Sequence, residues 1–496
     1  MNAALQIFPE KPISPIDPRL YSSFIEQMGR AVYTGIYEPG HPTANTAGFR
    51  QDVAEKIRKL NLSHIRYPGG NMLSGYRWED GVGPREQRPV RRELAWFSLE
   101  PNYVGINEFV SYCRENGIEP MIGVNLGTRG PQEAADLLEY CNVPGGTYLS
   151  DLRRSHGYEQ PHNIKLWCLG NEMDGPWQIG AKTAEEYGRI ACETAKMMKW
   201  MDDSIQLVVC GSSYRAMPTF GAWEKTVLRH CYEYVDFLSL HQYYQNLDGD
   251  VPTFLARAVD MGKFIDEVAE ICAEEKARRK TDHTVYLSFD EWNVWYHFQQ
   301  AGKIPEKWIF PRPIEEEAFD FADALLVGTM LNTLIRHSDT VKIACMAQLV
   351  NVIAPIMTTP GGGSWLQTIY YPFYYASHFG RGTALRLKLD CPSYQCALGE
   401  ISTLDCAAVL SENGQELSLF LVNRSINQPA TVQLSISGWD NIYCLDAVTM
   451  SGPLDAVNTL ECAPIVPRQA QLLTNGKLDI SPASWNLIRL CKRDNK

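Results

Sequence analysis

The 496-residue chain has little of what would tie it to a membrane, a polyanion or a metal. No apolar run approaches the roughly 20 residues that a membrane-crossing helix needs. Residues 1–20 show no basic stretch leading into an apolar one, so the expected location is the cytoplasm. Basic blocks are missing too. A net charge of -12 spread over both halves argues against nucleic acid or an anionic membrane as main partner, and favours an uncharged or cationic small substrate. The 14 cysteines include no CxxC pair, and Cys168, Cys210 and Cys345 sit inside apolar runs, which predicts buried reduced thiols. His241 has no second His or Cys at ligand spacing, so no metal and no cofactor is assigned. The glycines of "TPGGGS" (359–364) lack the Lys-Ser/Thr of a phosphate loop and are expected to form a flexible pocket rim.

What is present is a regular alternation. Eight short β-rich runs are expected at Phe24–Met28, Ser63–Tyr67, Pro120–Asn125, Ile164–Leu169, Ile205–Cys210, Val235–Leu240, Thr284–Phe289 and Val341–Gln348. Between them lie amphipathic stretches such as "AGFRQDVAEKIRKL" and "TAEEYGRIACETAKMMKW", with apolar residues at helical spacing. Apolar strands alternating with helices indicate a parallel sheet covered on both faces, and eight units indicate an α/β fold, a (β/α)8 TIM barrel. A doubly wound open sheet is the alternative. After about residue 380 short alternating segments such as "ELSLFLVNRS" and "ATVQLSISG" replace the helical pattern, as in an all-β sandwich. The expected division is a strand and linker at 1–18 packed on the C-terminal domain, a catalytic barrel at 19–380, and a β-sandwich at 381–496.

Barrel enzymes carry their reacting groups at the C-terminal ends of the strands. Those ends are polar here: Glu26, Asn71, Asn125, Asn171 with Glu172, His241 with Tyr243, Asp290 with Glu291, and Gln348 with Asn351. Trp96, Trp177, Trp292 and Trp295 stand close in sequence, and hydroxyl-binding groups beside indoles suit a sugar. Two strand-end glutamates suggest glycoside hydrolysis, one as proton donor and one as nucleophile or base. The competing reading, that both are paired with arginines beneath the site, weakens because each is followed by Trp-containing sequence. Asn171 and Glu172 are adjacent, so a regular strand would point them to opposite faces, and the strand must end or bulge there. The same parity makes Asp290 a structural partner, and Arg66 is expected to pair with a buried carboxylate.

"WCLGNEMDGPWQIG" (167–180) and "LSFDEWNVWY" (287–296) resemble the acid/base and nucleophile segments of the family 51 glycoside hydrolases, the α-L-arabinofuranosidases. "FIEQMGRAVYTGIYEPGHP", "IRYPGGN", "GVNLGTRGPQEAADLLEYCN", "SLHQYY" and "AQLVNVIAPIM" extend the likeness across the barrel. The resemblance implies Glu172 as general acid/base and Glu291 as nucleophile of a retaining, exo-acting enzyme that removes terminal α-L-arabinofuranosyl residues from oligosaccharides. It also implies that Glu26, Asn71, Asn171, Tyr243 and Gln348 bind the sugar hydroxyls, with Trp96 and Trp295 shaping the pocket, and that the chain forms homo-oligomers, often hexamers. Ser23 and Gln27 in "YSSFIEQ" stand where relatives commonly carry histidines. A β-xylosidase or endo-β-glucanase on the same barrel is the alternative activity, and a catalytically silent carbohydrate-binding protein the alternative class.

Overall fold

A computed structural model describes residues 1–297, 305–439 and 441–492. Eight parallel strands close into a barrel: β1 (Ser22–Phe24), β2 (His64–Tyr67), β3 (Glu119–Val124), β4 (Leu166–Leu169), β5 (Gln206–Val209), β6 (Phe237–Tyr244), β7 (Tyr286–Val294) and β8 (Val341–Ala347). β8 pairs with β1 through Cys345↔Ser22 and Ala347↔Phe24, which closes the ring. The strands are apolar on both sides for different reasons. Leu166 and Cys168 of β4 and Ile343 and Cys345 of β8 fill the barrel interior with Phe24, Met121, Val208 and Phe237. The alternate residues, Trp167 and Leu169 for example, pack outward under the helices.

β1 is shorter and earlier than the run Phe24–Met28 suggests. It ends at Phe24 because pairing with β8 stops there: the Glu26 N–H bonds the Gln348 side chain, Oε1 at 2.9 Å, while on the other side the Ile25 N–H still bonds Arg66 O at 2.9 Å and the Gln27 N–H bonds Pro68 O at 3.0 Å along β2. The two positions where relatives commonly carry histidine are filled by bonded side chains. Ser23 Oγ donates to Met346 O at 2.8 Å, and Gln27 Nε2 donates to Val104 O at 2.7 Å and Tyr67 Oη at 2.9 Å.

The C-terminal part is a β-sandwich built from one ten-stranded sheet folded on itself, so that Leu404, Leu417 and Leu419 share a core with Val432, Ala447 and Leu478. The N-terminal strand Asn2–Pro15 lies within this sheet, parallel to Ala430–Ile436 and antiparallel to Thr383–Asp390. The helix Phe321–Arg336 is buried on nearly every face because it runs between barrel and sandwich. Gly328 allows that approach: a Cβ there would lie 2.4 Å from the indole of Trp485. Asp405 of the sandwich accepts from Asn332 and Arg336 of the same helix and from Arg424. Among the described residues no helix is long and apolar enough to cross a membrane.

Candidate active site

The pocket opens at the C-terminal end of the barrel and spans about 330 Å³, the solvent at its mouth included. Glu26, Asn71, Trp96, Glu172, Tyr243, Glu291, Trp295 and Gln348 all line it, with Phe24, Met28, Gly70 and Ile353. Asn171 lies just beneath, 1% exposed, with Oδ1 accepting from Arg66 Nη2 at 2.6 Å. These residues come from six strand ends and the loops that follow.

Neighbouring polar residues, Asn171 with Glu172 and Asp290 with Glu291, turn toward the same end of the barrel because the backbone departs from regular strand geometry twice. β4 stops at Leu169, and Glu172 sits at φ 44°, in the left-handed region. That conformation costs a non-glycine residue about 1–3 kcal/mol and recurs where a side chain must be aimed. In β7 the register slips instead. Ser288 pairs with Ser239 but Glu291 with His241, three residues against two, so a bulge turns Asp290 and Glu291 both inward.

Arg66 is the hub below the pocket. It is 1% exposed and lies over the Phe24 ring at 4.8 Å; Nη1 donates to Glu291 Oε1 at 2.6 Å, and Nε stands 3.5 Å from Asp290 Oδ2. His241 sits between the acids, with Nδ1 3.0 Å from Glu172 Oε1 and 3.6 Å from Glu291 Oε2, and Nε2 3.3 Å from Asp290 Oδ1. Burial opposes charging of this imidazole, but Glu291, Asp290 and Glu172 outweigh it and push its pKa up to about 10. Asp290 is held below the usual range: burial raises it, and Arg66, His241 and the Ser239 hydroxyl more than reverse that. Asp290 is thus a partner of Arg66, Ser239 and His241, as parity suggested, although it points inward.

Glu172, with a side chain 10% exposed, has a raised pKa, chiefly from burial and then from the charge of Glu291, against the opposing hydrogen bonds of His241 and Trp177. Glu26 is pushed up to about 8 by burial, although Trp96 Nε1 at 2.9 Å and the Met72 N–H at 2.8 Å both donate to Oε1. Gly70 admits that carboxyl, since a Cβ there would lie 2.3 Å from Glu26 Oε2. Gln348 Oε1 accepts from the Glu26 N–H at 2.9 Å, Tyr243 Oη donates to Glu291 Oε2 at 2.8 Å, and Tyr243 meets Trp295 edge-on at 5.0 Å.

One oxygen each of Glu172 and Glu291 and one nitrogen of His241 lie within 4.8 Å of one another. Sequence spacing does not show this grouping, because its members come from β6, β7 and the chain after β4. A protonated His241 has no lone pair to give a cation, and Arg66 already places positive charge on Glu291, so the cluster fits proton transfer better than metal binding.

Other polar or aromatic candidates lie elsewhere. Trp292 is fully buried among barrel and helix side chains, turned outward by the β7 bulge. Asn125 holds a turn through Tyr76 O and Thr128. Asp174 accepts from the Ser213 N–H and hydroxyl, and Asn351 Oδ1 caps the Thr358 N–H at 2.7 Å. Residues 359–364 do not line the pocket: they turn the hairpin Ile356–Thr358/Ser364–Leu366 and are pinned when the Arg50 guanidinium donates to Thr359 O and Gly362 O. The sequence also predicts a long Trp- and Pro-rich loop at 293–315 beside the pocket, and 298–304 of it lie outside the described residues.

Two carboxyls with oxygens within 4.8 Å of each other, in a pocket at a barrel mouth, are the arrangement that a retaining glycoside hydrolase needs. Residues 56–252 match the "Alpha-L-arabinofuranosidase 1 domain" and residues 290–484 the "Alpha-L-arabinofuranosidase C-terminal domain". The chain is 52% identical to an intracellular exo-α-(1→5)-L-arabinofuranosidase of Bacillus subtilis (strain 168), covering 99% of both chains. It is 48% identical to an exo-α-(1→6)-L-arabinofuranosidase of Bifidobacterium longum, over 96% of this chain and 95% of that one. A solved family 51 α-L-arabinofuranosidase from Bifidobacterium longum superposes with a TM-score of 0.94 at 40% identity, covering 98% of this chain and 99% of the other. The chain belongs to the α-L-arabinofuranosidases of glycoside hydrolase family 51.

Proposed function

We propose that the enzyme removes terminal non-reducing α-L-arabinofuranosyl residues from oligosaccharides by double displacement. The observation that carries this reading is the pairing of Glu172 and Glu291 across one cavity, their nearest oxygens under 5 Å apart and their surroundings unlike. Glu291, held by Arg66 and Tyr243, attacks C1. Glu172, whose surroundings favour the protonated form, gives its proton to the departing oxygen. Glu172 then draws a proton from water, which releases arabinose with configuration retained. His241 faces both glutamates as an imidazolium: it compensates the Glu291 carboxylate before the first step and the Glu172 carboxylate once Glu291 has become the neutral glycosyl ester.

Glu26, Asn71, Asn171, Tyr243 and Gln348 are proposed to read the hydroxyls, and Trp96 and Trp295 to wall the ring. The names of the relatives support an exo-acting, intracellular enzyme. Assembly as a homo-oligomer is proposed as well, supported by the exposed apolar side chains Val90, Leu94, Phe97 and Phe310; light scattering that reads a monomer would overturn it.

The test is nitrophenol release from α-L-arabinofuranoside, β-D-xyloside and β-D-glucoside substrates, with Glu291→Ala as control. Preferred cleavage of the arabinofuranoside, lost in the control, is expected. Well-folded wild type that cleaves none of the three would turn the reading to a sugar-binding protein.

A further inference from the structure

Trp96 reaches the pocket from the tip of a hairpin, Arg91–Glu93 paired with Ser98–Glu100, rather than from the barrel. A tip of this kind is ordinarily loose. Here it is fastened from below by Glu93, which is 7% exposed. Its Oε1 accepts from the Ala95 N–H and its Oε2 from the Trp96 N–H, both at 2.7 Å. Among the described residues no ion pair reaches Glu93, so a buried carboxyl is kept without a cation, an arrangement that is unfavourable unless its hydrogen bonds repay it. Both bonds go to a single turn. The far side of that turn is held too: Arg312 Nη1 donates to Trp96 O at 2.5 Å, and the Trp308 N–H donates to Phe97 O at 2.7 Å. Phe97 itself lies at φ 52°, a conformation that a phenylalanine adopts only under such restraint. The fixed element is therefore the indole, whose Nε1–H donates to Glu26 Oε1 at 2.9 Å.

We propose that Glu93 is a positioning residue for the arabinofuranosidase reaction, holding the Trp96 turn so that the indole N–H keeps the Glu26 carboxyl aimed into the pocket. This rests on the reading above, in which Glu26 and Trp96 serve the sugar. Glu93 touches no substrate; it acts through Trp96.

The experiment is a double-mutant cycle of Glu93→Ala and Trp96→Phe on the full-length enzyme, reading kcat and KM for nitrophenyl α-L-arabinofuranoside and the melting temperature. Glu93→Ala is expected to lower kcat/KM about tenfold to a hundredfold, the usual consequence of a small misplacement near the reacting atoms. In the Trp96→Phe background, where the indole N–H is already gone, the same change should cost less than threefold. Glu93→Gln, which keeps one carbonyl acceptor, should fall between wild type and Glu93→Ala if the latter folds poorly. Equal losses in both backgrounds, or a loss that follows the melting temperature across the Ala and Gln variants, would overturn the proposal and leave the function standing. Wild type inactive on the arabinofuranoside would overturn both.

Discussion

The surroundings of Glu172 and Glu291 differ in backbone path and in every hydrogen-bond partner, although the two side chains meet in one cavity and share His241. Glu291 belongs to a long strand, is turned inward by a bulge, and is bonded to a permanent cation and a phenol. Glu172 lies past the end of a short strand, in a left-handed conformation, against an indole N–H and an imidazole. A rigid strand with a fixed guanidinium suits a carboxylate that must stay in line with one carbon atom. A strand end whose partners can each accommodate either protonation state suits a group that gives and takes a proton in every cycle. In the proposed mechanism, identical side chains acquire unlike roles from backbone path and neighbouring charge.

The sharpest way to break it is to remove the strand-borne group. Glu291→Ala should lower arabinofuranoside cleavage by on the order of 10⁴-fold or more. Added azide should restore turnover as the glycosyl azide, because a small anion can enter the space left by the carboxylate; product analysis by NMR would show it with inverted configuration. Glu172→Ala should cost about 10²–10⁴-fold on an arabino-oligosaccharide, the usual worth of a general acid. On a nitrophenyl substrate, whose leaving group needs no proton, the same variant should release a burst of nitrophenol and then turn over slowly, as stopped-flow absorbance would record.

A gentler test uses pH. The folded pKa of His241, about 10, lies above its ordinary 6.5, so its stabilising contribution is complete below about pH 6.5 and fades as pH rises through 10. Glu172, raised from 4.5, adds to the decline, since the fold increasingly opposes its ionisation as pH climbs above that value. The melting temperature should therefore fall between pH 6.5 and 10, and fall less steeply in His241→Gln. The smallest effect is expected at Trp177, whose Nε1–H donates to Glu172 Oε2 at 2.6 Å from a half-exposed position. That bond favours the ionised form, so Trp177→Phe should move the alkaline limb of the activity profile to higher pH with a severalfold change in rate.

Much of the barrel was legible because burial on both faces leaves continuous apolar runs, and seven of these fall close to the observed strands. β1 was placed too late: "FIEQM" carries apolar residues and keeps its bonds to β2, but the Gln348 side chain takes the Glu26 N–H and ends the pairing with β8. Trp292 looked like a pocket residue from its position beside Glu291, and one inserted residue in β7 sends it outward instead. Residues 359–364 looked loose because they are rich in glycine, yet Arg50, distant in sequence, ties them down. Glu93 gave no sign at all, since a lone Glu in "RRELAW" reads as surface charge until the hairpin closes over it.

Residue types and their order determined by themselves the eightfold alternation, the shift to an all-β segment near residue 380, and a ring of polar groups following the strands, for these are local properties of hydrophobic period and composition. The tertiary structure alone decided which of those groups share a cavity, that a bulge and a left-handed residue turn neighbouring polar side chains the same way, and that His241 stands between the two glutamates, which push its pKa up. The physical reason is that charge and strand parity depend on neighbours brought in from other strands, and a pKa is set by what surrounds a group in space, whatever stands beside it in the chain.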